Sequence, residues 1–234
     1  MKYTRKFYCF SPPIMIATFL IEAILAVYTL WRYKLGKVSR LVAAILGFLA
    51  LFQLAEYMVC EGGFSLSGEV WARIGFVSIT MLPLLGLHLA SVLAEKKTRW
   101  LVPAVYVSGF AFVFFFAFVG QAVTNQVCQG NYVIFGIAPA SLWLYMLYYY
   151  GWLLAAVWLC GRWAARAKNQ ANKTALQALA IGYLTFLLPT TTVNMLDPTT
   201  TAGIPSIMCG FAVLLAIALV GWVLPAAQEI KHLK

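Results

Sequence analysis

Seven polar or ionisable side chains, Glu22, Gln53, Glu56, Arg73, His88, Asn194 and Asp197, stand in or at the edges of long apolar stretches of this chain. An ionisable group in such surroundings is costly, and it tends to face a partner, a cavity or a ligand. Gln53 and Glu56, spaced i, i+3, share one face of a helix. At a rise of 1.5 Å per residue, Glu56 falls about 6 Å and Glu22 about 14 Å below the same boundary of the apolar layer. Arg73, Asn194 and Asp197 fall at shallow depths on that side. Gln53, Glu56, Arg73, Asn194 and Asp197 are therefore expected to converge on an outward-facing vestibule that binds a ligand. The competing expectation is a structural one, in which Glu56 pairs with Arg73 and Asp197 opens the turn Asp197-Pro198.

Glu22 and His88 form a possible intramembrane polar site, as a proton relay or as hydrogen-bonded packing residues. Cys60 and Cys128 fall on the same side as the vestibule and are candidates for a disulfide, with Cys9 as a competitor. Cys160 and Cys209 read as apolar packing residues. The cysteines show no CxxC or zinc spacing, so no metal or cofactor is expected. HExxH, GxSxG, a phosphate loop and paired catalytic carboxylates are absent, and an enzyme is not expected. The run from Leu144 to Tyr150 carries four tyrosines into the apolar layer, as hydrogen-bonded packing or as the wall of a pocket.

The elements that must position these residues are seven apolar segments, at about 13–31, 41–60, 71–94, 101–121, 140–163, 175–196 and 205–224. Hydrophobic residues make up 63% of the 234, and charged residues only 10%, which excludes an ordinary soluble domain. The reading is an all-α, seven-transmembrane helix bundle, a single membrane domain. Basic residues gather in every second gap: Arg32, Lys34, Lys37 and Arg40, then Lys96, Lys97 and Arg99, then Arg162, Arg166, Lys168 and Lys173, and finally Lys231 and Lys234. Against Lys2, Arg5 and Lys6, these gaps predict an N-terminus outside and a C-terminus in the cytoplasm. The net charge of +10 then implies anionic lipid head groups of the bilayer as neighbours, with no nucleic acid. The stretch 122–139 is expected to be a polar outside loop, and Pro189-Thr190-Thr191-Thr192 a break in the sixth segment.

The stretch Trp71-Ala72-Arg73-Ile74-Gly75-Phe76, continuing through Leu82-Pro83 to His88, the polar loop before segment five and the Pro-led last span carry a resemblance. With them the chain resembles the N-terminal seven-transmembrane sensor region of bacterial histidine kinases. That resemblance implies a receptor-like module in a bacterial cytoplasmic (inner) membrane, with a signal passed through the last helix. In such kinases a signalling helix and catalytic domain would follow where this sequence reads Gln228 to Lys234, so kinase activity is not expected.

Two functions follow as expectations. One is a stand-alone sensor that binds a small or lipophilic ligand from the outer side and signals through a cytoplasmic or membrane partner. The other is a small-solute or ion transporter using Glu22 and a broken sixth helix.

Overall fold

The computed structural model describes residues 12–33, 36–96, 98–128 and 133–232. Cys9, Lys2, Arg5, Lys6, Lys34, Lys97 and Lys234 lie outside the described residues. Seven helical segments among them are long and apolar enough to cross a membrane, and the protein is a multi-pass helical membrane protein. In chain order come α1 (Pro12–Arg32), α2 (Lys37–Glu61), α3 (Gly68–Leu93) and α4 (Leu101–Phe118). Then follow strands β1 (Val123–Cys128) and β2 (Val133–Ile137), α5 (Pro139–Ala165) and α6 (Gln170–Leu196). A 3₁₀ turn (Pro198–Gly203) leads into α7 (Ile204–Ala218), which passes through a π-helical turn (Leu219–Val223) into α8 (Leu224–His232).

Consecutive helices run up and down, so Arg32, Lys37, Arg40, Lys96, Arg99, Arg162 and Arg166 share one end, here the basic end. The opposite end carries the strands. Local chemistry sets these reversals. Gly62 takes a left-handed φ of 74° to end α2, a conformation in which a side chain is strained. Ser67 then caps α3 by accepting the Val70 N–H, with Glu69 in the first turn.

α3 is the most enclosed span, while α1 and α4 turn most of their surface outward. Leu20, Ile24 and Val27 of α1 and Phe114 and Phe118 of α4, together with Leu147 of α5, make up part of the outward apolar surface, as hydrocarbon requires. Behind it, Phe76 of α3 stacks on Phe116 of α4 at 4.5 Å between ring centroids and meets Tyr145 of α5 edge-on at 6.0 Å. Close approach of α3 and α6 depends on Gly86, where a Cβ would collide with the Tyr183 hydroxyl.

Two expectations need correction. The stretch 122–139 is a β-hairpin rather than a polar loop, its strands antiparallel with Val123 opposite Ile137 and Cys128 opposite Val133. Its inner residues Val123, Val133 and Phe135 are buried, and Phe135 packs on Phe52 and Phe76. The sixth segment is unbroken: α6 runs through Pro189 to Leu196. A membrane helix tolerates an internal proline when its neighbours shield the loosened turn, and Phe186, Leu187 and Thr190 are buried there.

Candidate functional site

α1 is polar on the inside. Its buried residues are Met15, Thr18, Glu22 and Thr29, one stripe at helical spacing, while Ile21, Ile24 and Val27 face outward. Thr18 and Thr29 satisfy themselves by donating to carbonyls one turn back, Thr18 to Ile14 and Met15, Thr29 to Leu25. Glu22 has no such option. It is fully enclosed, and neither carboxyl oxygen has a hydrogen-bond partner.

Glu56 of α2 lies near enough for its charge to act on Glu22. Glu56 is 1% exposed; it accepts a hydrogen bond from Ser206 of α7, and its Oε1 is unpartnered. Gln53, one turn before Glu56 on the same face, is 1% exposed with its Nε2 unpartnered. Cys209 of α7, three residues after Ser206 and buried, is near both carboxyl groups. Ser206 also ties this cluster to the hairpin, because its Oγ accepts the Val133 N–H at 3.1 Å.

The expected vestibule does not assemble. Gln53 and Glu56 are buried inside the bundle, and Glu56 lies near enough for its charge to act on Glu22. Arg73 instead pairs with Glu69 at 2.9 Å and donates to the carbonyls of Phe116, Val119 and Gly120. Those carbonyls belong to the end of α4, where a cation is favoured by the helix dipole and by carbonyls without helical donors. Neither the vestibule nor an Arg73–Glu56 bridge is formed. Asn194 accepts from Thr200 and Thr201, and Asp197 caps the 3₁₀ turn. The Thr199 hydroxyl and N–H, donating at 2.6 and 3.0 Å, hold the Asp197 carboxyl below the usual carboxylate range. His88 does not reach Glu22; its Nδ1 lies 2.9 Å from the Tyr106 hydroxyl on α4.

The Cys60–Cys128 disulfide joins the end of α2 to β1. Beneath the tethered hairpin lies a pocket of about 40 Å³ between α3, α5 and the start of α7, lined by Ile79, Phe135, Tyr145, Tyr149, Ile204 and Met208. The tyrosine run both packs and lines this pocket. Tyr145 shares a hydrogen bond with Thr80, and Tyr148 donates to the Thr80 carbonyl in the turn before Pro83.

Sequence reasoning missed Ser206, Phe135 and Met208, and read Cys209 as a packing residue, which its burial bears out, without placing it beside the carboxyl groups. The hairpin had left a signal, namely two β-branched runs, Val123–Cys128 and Val133–Ile137, either side of Gly130-Asn131. Nothing in the sequence marked which face of α7 meets α2. Among the described residues, no three His, Cys, Asp or Glu side chains gather as a metal set. Compared with known proteins, the chain matches no family model and no curated relative.

Proposed function

We propose that this protein is a receptor-like membrane protein that takes a small lipophilic ligand beneath the hairpin and signals through a partner at the basic end. The observation that carries this reading is the aromatic pocket roofed by a disulfide-tethered hairpin. Its lining offers apolar surface with few polar groups, the composition that suits an alkyl or aromatic group. The volume admits a few non-hydrogen atoms, either a small molecule or the tip of a longer chain.

Orientation follows from two independent features in this reading. Basic loops favour the cytoplasm, and a disulfide persists in an oxidising compartment. Both favour a hairpin end outside and a basic end in the cytoplasm, and the resemblance implies a bacterial inner membrane. α7 connects the two ends, since Ile204 and Met208 line the pocket while α8 emerges among the basic loops. The π-helical turn between them is a local departure of the kind often found where helices adjust in function. The resemblance to kinase sensor regions agrees with a signal carried by the last helix. The transporter reading loses its discontinuous helix, because α6 is continuous.

The test is thermal unfolding of the full chain in lipid nanodiscs with graded alkanols and simple aromatics. A binding probe is expected to raise the midpoint with concentration, and Met208→Trp, which fills the pocket, to abolish the rise. Equal shifts in wild type and Met208→Trp, or no shift with any probe, would sink the reading.

A further inference from the structure

We propose that Glu22 and Glu56, with Gln53 and Ser206, form a proton-binding site inside the membrane layer, holding at least one exchangeable proton at neutral pH. It stands whether or not the hairpin pocket takes a lipophilic ligand.

The case is one of donors and acceptors. Glu22 offers two carboxyl oxygens and Glu56 one, all enclosed and without partners. Two bare carboxylates side by side in a dry site repel each other and leave every one of those oxygens unsatisfied. A single proton changes the count, because it removes one of the two charges and turns an unsatisfied acceptor into a donor. The independent observation is Gln53, a buried amide whose Nε2 lacks an acceptor while sharing the helix face of Glu56. An N–H donor suits a carboxyl oxygen and opposes a metal ion. Ser206 likewise presents its O–H to Glu56. The cluster therefore holds an amide and a hydroxyl donor among carboxyl acceptors, the composition that suits a proton.

No basic side chain competes for the proton among the described residues packed around the pair. From α1 come Glu22 and the self-satisfied hydroxyls of Thr18 and Thr29; from α2, Gln53 and Glu56; from α7, Ser206 and Cys209. Tyr145 and Tyr149 of α5 lie near Cys209. On α3, Glu69 and Arg73 bind each other and the end of α4, and His88 binds Tyr106. Cys128 of β1 is in the disulfide.

The experiment treats the full chain in nanodiscs with dicyclohexylcarbodiimide, a hydrophobic reagent that attacks protonated carboxyl groups, and maps the adducts by mass spectrometry. Infrared spectra of the same samples follow the carboxylic-acid C=O stretch. Wild type at neutral pH is expected to carry the adduct on Glu22 or Glu56 and to show the acid band. Both signals should fall about tenfold in the double variant Glu22→Gln, Glu56→Gln, and both should fade on going to strongly alkaline pH. The wild-type adduct position decides the matter even if the double variant fails to fold. No adduct at either position together with no acid band at neutral pH would overturn the proposal. Loss of labelling on adding sodium or potassium at constant ionic strength would overturn it too, showing an alkali cation in the site instead.

Discussion

Arg73 and Glu22 are both ionisable side chains set in apolar helices, and the bundle treats them in opposite ways. Arg73 is saturated: Glu69 neutralises it and three carbonyls at the end of α4 accept its protons. Glu22 is more deeply enclosed than Arg73, at 0% exposure against 15%, yet has no partner on either oxygen, and its ionisable companion Glu56 bears the same charge when ionised. A saturated charge is an architectural clamp, here one that fastens α3 to α4. An unsatisfied pair weakens the fold it sits in and is explained by what it binds.

The largest effect is expected at the tether beside the clamp. Cys60 and Cys128 are 68 residues apart in sequence, so replacing both by serine should destabilise the chain by about 4 kcal/mol. The check is thermal unfolding in nanodiscs against wild type, with and without reductant. If reductant leaves the wild-type midpoint unchanged, the hairpin end owes its stability to other contacts.

Arg73→Ala comes next. It removes the partner of the Phe116 and Gly120 carbonyls, while Val119 keeps the Ala122 N–H, for an expected loss of about 2 kcal/mol. Hydrogen exchange at the end of α4 should rise in the same variant, and a rise confined to α3 would contradict the clamp. Gly86→Ala is expected to lose about 2 kcal/mol by overpacking against Tyr183; pairing it with Tyr183→Phe, which removes the colliding hydroxyl, should recover part of that loss.

Asp197 sets the small end of the scale. Its depressed folded-state pKa means that its stabilising contribution is present above the unfolded value and is lost as pH falls through the folded one. Acidification through that range should loosen the 3₁₀ turn, read as faster exchange at the Thr199 amide, and Asp197→Asn should remove the pH dependence.

The sequence made the spans legible because hydrocarbon imposes length and apolarity on each helix separately. Within each of the seven segments, the helix found lies within a few residues of the expected range, apart from the start of α6 and the extension beyond α7. The sequence also singled out Glu22, Gln53 and Glu56, since polar residues stand out in an apolar run. It did not show which of them meet. Depth along a helix is readable from residue number, but the direction a side chain faces depends on how neighbouring helices rotate and pack. Glu56 and Arg73 lie at comparable depth and yet turn apart, Glu56 toward α1 and α7, Arg73 toward α4. Glu22 looked isolated because its nearest ionisable neighbour lies on another helix. The hairpin was overlooked because its short runs lack the length that announces a membrane helix.

The contrast between clamp and carboxyl pair comes to one measurement, the unfolding midpoints of Glu22→Gln and Arg73→Gln side by side in nanodiscs at neutral pH. Each replaces an ionisable side chain with the same neutral amide. Glu22→Gln is expected to leave the midpoint unchanged or raise it, since it removes an unpartnered buried acid, while Arg73→Gln lowers it by several degrees. A loss in Glu22→Gln as large as that in Arg73→Gln would make Glu22 a structural residue and remove the distinction.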